Sequence, residues 1–259
     1  MRKNVKQQLA LRVLSTAALM AMVSSIATAA FADTYDLNKG SVDILAEDGK
    51  QYITQWKDES KSTYATDDKG EIKKRQDDDI ILTTKDETTG KTETAHNTVT
   101  IDAKEGNTAN VTLQDVNIEV DTAKTESGAI EIKGNGDTNL ELNGNNTVLT
   151  TNDWREEHAA IEKADTYGNG TLTIKDDLND NGEEKTGTDE DSTLLAGGFH
   201  QAAAIGGGKG KDLRDTSNIT ITGGKITAIG GNDGAAAIGG GYDGTGKNIR
   251  IAANADVTA

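Results

Sequence analysis

The chain has 259 residues, no proline, no cysteine, 29 glycines and a formal net charge of −16. Without cysteine it has no disulfide framework, no thiolate metal site and no lipoprotein attachment thiol, and so acidic a surface repels nucleic acid and anionic membranes, which are held through cationic patches. With 34% hydrophobic and only 3% aromatic residues, it is either partly disordered or builds its core from small β-branched side chains in a regular array.

The first 32 residues read as a secretory signal peptide. Arg2, Lys3, Lys6 and Arg12 supply a basic head, residues 13–30 an apolar run, and Ala30-Phe31-Ala32 a small-residue cleavage site before Asp33. The alternative is an uncleaved membrane anchor. Ser15, Thr16, Ser24, Ser25 and Thr28 within the run, and the A-x-A site directly after it, favour cleavage. Cleavage leaves 23 basic against 43 acidic residues, a mature charge of −20. A secreted or cell-surface protein is expected, with no nucleic-acid partner and no membrane insertion. Residues 33–79 are polar and show no repeat, so they are expected as a cap or a poorly ordered segment.

From Ile80 onward the chain repeats. GGFHQAAAIGGG at 197–208 returns as GGNDGAAAIGGG at 230–241, and NVTL, NLEL, TLTI, NITI and NIRI end at 113, 142, 174, 221 and 251. Between them an Ala-Ile pair recurs at 129–130, 160–161, 204–205 and 237–238. Both series share a period of about 30 residues and are interrupted at the same place, which marks a solenoid or array. Each first block alternates inward Val, Leu or Ile with outward polar residues, the period-two pattern of a strand with one buried face. A second strand is expected at Val116-Asn117-Ile118, Val148, Ile226-Thr227-Ala228 and Val257-Thr258, and the Ala-Ile pairs supply a third. Three short strands per repeat predict an all-β chain, a right-handed parallel β-helix (β-solenoid) over 80–259. Leu113, Leu142, Ile174, Ile221 and Ile251 are expected to stack in one inward column. Asn110, Asn139, Thr171, Asn218 and Asn248 open the first strands, as an amide ladder or simply as turn formers.

In order and wording, VTLQDVNIEV, GAIEIKG, NLELNGNNTV, HAAIEK, GTLTIKD, AAAIGGG and NITITGGKITAIGG resemble bacterial surface proteins of the right-handed β-helix type described as carbohydrate-binding. The resemblance runs from Ile80 to Ala259. That family writes its small-residue block AGIGGG, where Ala203 and Ala236 stand here, and has many more GGG blocks than the two present. The resemblance implies an extracellular adhesive or glycan-binding role, toward an extracellular polysaccharide or a host or cell-wall glycan, and brings no catalytic residue.

The interruption at 175–193 is acidic. Asp177-x-Asn179-x-Asn181-Gly182 matches the first half of a calcium loop, with Asp189 near the closing position, although the bidentate Glu is replaced by Thr188. It is either a calcium site or a solvated acidic loop. His96, His158 and His200 are expected as exposed loop residues. Trp154, Tyr167 and Tyr242, in turns beside the Ala-Ile blocks, are the candidate sugar-stacking residues. The expected function is non-catalytic carbohydrate binding. The alternatives are a structural stalk or the N-terminal piece of a longer surface passenger, suggested by an open β edge at Ala259, and, less favoured, a calcium-dependent polysaccharide lyase.

Overall fold

The computed structural model describes residues 33–58, 60–86, 88–151, 157–178, 184–185 and 191–259. Nearly all regular structure in it is β. The first parallel sheet runs in the order β1 (Thr34–Asp36), β7 (Ile80–Thr83), β9 (Thr108–Gln114), β12 (Asp137–Asn143), β15 (Leu172–Lys175), β18 (Thr216–Ile221) and β21 (Gly246–Ile251). A second holds β10 (Asn117–Asp121), β13 (Asn145–Thr151), β16 (Thr193–Gly197), β19 (Lys225–Ile229) and β22 (Asp256–Thr258). The third runs β20 (Ile238–Gly239), β17 (Ile205–Gly206), β14 (Ile161–Glu162), β11 (Ile130–Lys133), β8 (Val99–Ala103), β2 (Val42–Glu47), β3 (Lys50–Gln55) and β6 (Arg75–Gln76). From β9 on, the chain visits first, second and third sheet in strict rotation, so every strand pairs with its equivalents one circuit before and after. The only α-helix among the described residues, α1 (Thr122–Thr125), is a single turn, capped where Ala123 N–H donates to the Asp121 side chain.

Residues 33–79, expected as a cap or a poorly ordered stretch, are built into these sheets. β1 pairs in parallel with β7 and β2 with β8, while β3 and β6 run antiparallel beyond β2. The short hairpin of β4 (Thr66–Asp67) and β5 (Gly70–Glu71) stands apart. Parallel pairing thus begins well before Ile80. The sequence concealed it because this stretch carries neither the Ala-Ile pair nor the Asn-opened first block of the later circuits.

In-register pairing sorts the side chains into columns. In the third sheet Val42, Val99, Ile130, Ile161, Ile205 and Ile238 are successive partners; the first five are buried. In the first sheet the partners are Ile80, Val111, Leu140, Ile174, Ile221 and Ile251. Here the expected column needs correction. Leu113 and Leu142 do pair, but Ile174 sits opposite Leu140. The slip is two residues, so every side chain keeps its face. It brings Glu141 opposite Lys175, whose ammonium lies 3.0 Å from the carboxylate. The asparagine ladder is likewise broken into two rungs, Asn139 Nδ2 donating to Asn110 Oδ1 at 2.9 Å and Asn248 Nδ2 to Asn218 Oδ1 at 3.0 Å. At the interruption, Asn218 Nδ2 instead donates to the Asn169 carbonyl.

Each buried Ile or Leu in these columns contributes roughly 1.5–3 kcal/mol. Ile221→Asp should destabilise the fold by about 3–5 kcal/mol, the scale of an uncompensated buried charge, while Thr220→Asp, one residue away and facing outward, changes stability by less than about 1 kcal/mol. Equal effects in urea denaturation would contradict the inward column.

Lys163 follows Glu162 and so points inward. It is 2% exposed, and its Nζ, like Thr138 Oγ1, has no hydrogen-bond partner among the described residues. Burial disfavours its charged form and lowers its pKa. Between that lowered value and the ordinary lysine value near 10.4 the unfolded chain binds more protons, so stability rises with pH across the window. Lys163→Met should therefore raise stability by about 1–3 kcal/mol at pH 7, the gain shrinking as pH approaches 10. A variant less stable than the parent at pH 7 would contradict a buried, unpartnered amine.

Candidate functional site

The outward residues of the third sheet stack as strictly as the inward ones. Asp43, Thr100, Glu131, Glu162, Gly206 and Gly239 are successive partners, and beside them Leu45, Asp102 and Lys133 form a second outward row. A groove of about 550 Å³ opens over these rows, walled by the turn at Thr125–Ser127, by Lys61 and by Tyr167. Two ion pairs cross it. Lys61 Nζ lies 2.6 Å from Asp43 and Lys133 Nζ 2.7 Å from Glu131. The Lys133 ammonium also sits 4.8 Å from the centre of the Tyr167 ring, within cation–π range. The Lys61–Asp43 pair is well exposed and adds little stability; its effect is to line the groove with both signs of charge.

At one end the groove meets a set of buried ionisable groups. Glu131 and Glu162 are register partners on adjacent strands, 5% and 0% exposed. The chain before β14 folds back over this face, so that His158 Nδ1 lies 3.0 and 3.1 Å from the two Glu162 oxygens and Ala159 N–H donates to Oε2 at 2.9 Å. The Tyr167 hydroxyl is 2.9 Å from Glu162 Oε1 and 3.3 Å from Glu131 Oε1. Burial, then the charges of Glu162 and Glu131, push its pKa far above the ordinary phenol value, so it remains a donor at any physiological pH. Next to this cluster, buried Glu157 accepts from His200 Nδ1 and Lys209 Nζ, both at 2.9 Å, and from Gln201 N–H at 2.7 Å.

The glycine block serves these carboxylates. A Cβ on Gly206 would run into the Gly239 carbonyl. One on Gly208 would approach Glu162 Oε2 at 2.7 Å and the Glu157 carbonyl at 2.8 Å. Glu162 therefore lies over a circuit whose outward positions carry no side chain, and the space is filled by the 157–159 backbone.

Of the candidate sugar-stacking residues, Tyr167 lines the groove, Tyr242 is 43% exposed and outside it, and Trp154 falls outside the described residues. Among the candidate calcium ligands, Asp177 is described, with its side chain 60% exposed and 3.4 Å from Lys175 Nζ, whereas Asn179, Asn181 and Asp189 lie outside the described residues. The described ends of the insertion are anchored to the first sheet. Asp177 and Leu178 N–H donate to Glu141 Oε1 at 2.7 and 2.8 Å, and Asp176 holds Lys185 and Ser192 N–H. The histidines need correction. His96 is exposed as expected, but His158 is 4% exposed and His200 is held by Glu157. The overlooked signal was the residue after each Ala-Ile pair, which is Glu131, then Glu162, then Gly206 and Gly239. In-register stacking makes two such glutamates neighbours.

No helix among the described residues is long and apolar enough to cross a membrane. No family model, curated protein or solved structure matches the chain.

Proposed function

We propose that residues 33–259 form a secreted right-handed parallel β-helix that binds an extracellular polysaccharide, without catalysis, in the groove on the outer face of its third sheet. Support for the helix comes from the rotation through three parallel sheets, because a connection that returns to a parallel neighbour in its own sheet is almost always right-handed. Support for secretion comes from the basic, apolar and small-residue segments of 1–32. One observation carries the binding site, namely a polar groove of about 550 Å³ on a rigid parallel ladder, furnished with threonine hydroxyls, carboxylates, lysines and the Tyr167 ring. Such groups match the hydroxyl pattern and apolar faces of a sugar, and successive strands offer them at a spacing of about 4.8 Å, so a regular polymer engages several circuits together. Asp43, Asp102, Glu126 and Glu131 outnumber Lys61 and Lys133 in the groove, which favours neutral glycans over acidic ones.

The test is retention on a panel of neutral and acidic polysaccharides, with and without calcium, paired with an assay for unsaturated or reducing-end products. Retention without product is expected on a neutral glycan. Thr100→Trp, which fills the groove floor, should weaken it at least tenfold, or about 1.4 kcal/mol, while Thr220→Trp on the outer face of the first sheet leaves it unchanged. Product formation would favour a lyase, absence of retention a structural stalk, and loss in the Thr220 variant alone would move the site to the first sheet.

A further inference from the structure

Four features of the buried cluster beside the groove point beyond glycan binding. The first is ligand geometry. Glu131, His158 and Glu162, all buried, each present one carboxylate oxygen or ring nitrogen, and these atoms lie within 4.8 Å of one another. Ligands in a tetrahedron about 2.1 Å from a metal ion stand roughly 3.4 Å apart, so small side-chain rotations close the set. The second is charge. Lys133 compensates Glu131, but among the described residues the wholly buried Glu162 is met by His158, Ala159 N–H and the Tyr167 hydroxyl, none of them a lysine or arginine. A buried carboxylate with so little positive charge around it is costly. The third is proton supply. Tyr167 has one hydroxyl proton for two carboxylate oxygens, so when it donates to the nearer Glu162 Oε1, Glu131 Oε1 faces the cluster with none. The fourth is access, since Glu131 and Tyr167 also line the open groove.

We propose that Glu131, His158 and Glu162 form a binding site for one divalent first-row transition-metal ion, zinc being the best match. One imidazole nitrogen and two carboxylate oxygens suit zinc and its neighbours, whereas calcium takes six to eight oxygen ligands and does not favour imidazole. Three protein ligands leave a fourth position, filled by water or the Tyr167 oxygen, on the side that faces the groove. The ion supplies positive charge beside Glu162 and gives Glu131 Oε1 a bond of its own in place of a share in the Tyr167 proton. It ties two adjacent circuits together at their outer face. The site is separate from the acidic insertion at 175–193 and does not depend on the glycan reading.

The experiment is calorimetric titration of the EDTA-stripped protein with ZnCl2, repeated with 1 mM calcium present and followed by thermal melting. One ion per chain, undiminished by calcium and accompanied by a rise in Tm, is expected. Glu162→Gln and His158→Asn should each weaken binding about 100-fold or more, and exposed His96→Ala should leave it unchanged. Should the buried variants fail to fold, Co2+ titration of the parent and of Glu131→Gln decides: visible d–d bands are expected in the parent and lost in the variant. No heat with the folded parent, binding unaltered in the folded variants, or Co2+ bands retained in Glu131→Gln would overturn the site.

Discussion

One constraint governs the molecule: from β7 on, each strand pairs in parallel and in register with its equivalent in the neighbouring circuits. Register fixes which residue lies above which, and the two-residue strand period then assigns each column to the inside or the outside. The inner columns of Ile, Val and Leu follow from it, and so do the outer rows. A chain with 3% aromatic residues lacks bulky side chains to fill a thick core. Repetition replaces bulk, because each aliphatic residue meets near copies of itself on two sides and leaves little void.

The same constraint creates the polar site. A glutamate at one repeat position would be a solvated surface residue. Glutamates at that position in consecutive circuits, Glu131 and Glu162, are forced to within one strand spacing of each other. The segment before β14 then covers them and brings His158 along, and the side-chain-free glycines of the following circuit leave room for it. Lys133 answers Glu131 and Lys209 answers Glu157. Like charges placed side by side by the backbone are thus managed through burial, hydrogen bonding and short-range pairing, without moving the strands.

Strand positions were legible in the sequence from about residue 110 on, because period-two alternation and the Ala-Ile pairs mark them directly. The register at the interruption was not. Leu142 and Leu140 are both inward, so aligning similar strings could not tell a correct pairing from one slipped by two, and only the outer Glu141–Lys175 pair separates them. Within residues 33–79, β1 and β2 were not legible as strands of the parallel sheets because they lack the Ala-Ile pair and the Asn-opened block that mark the later circuits. For the site, His158 read as a loop residue because the covering segment 157–160 has no periodic signature of its own. Its burial depends on the circuit after it, whose glycines leave the space it occupies.

In-register pairing can be measured without interference, since the chain has no cysteine. Thr173 and Thr220 are outward partners on β15 and β18, and neighbouring strands stand about 4.8 Å apart, inside the disulfide range for Cα separation. Thr112 and Thr173 also face outward but lie two circuits apart, beyond the reach of about 7 Å. Under mild oxidation, Thr173→Cys with Thr220→Cys should form an intramolecular disulfide in high yield with the fold retained, and Thr112→Cys with Thr173→Cys should not. Crosslinking of the second pair, or failure of the first in a folded protein, would contradict the stacked register on which the core, the groove and the buried carboxylates all rest.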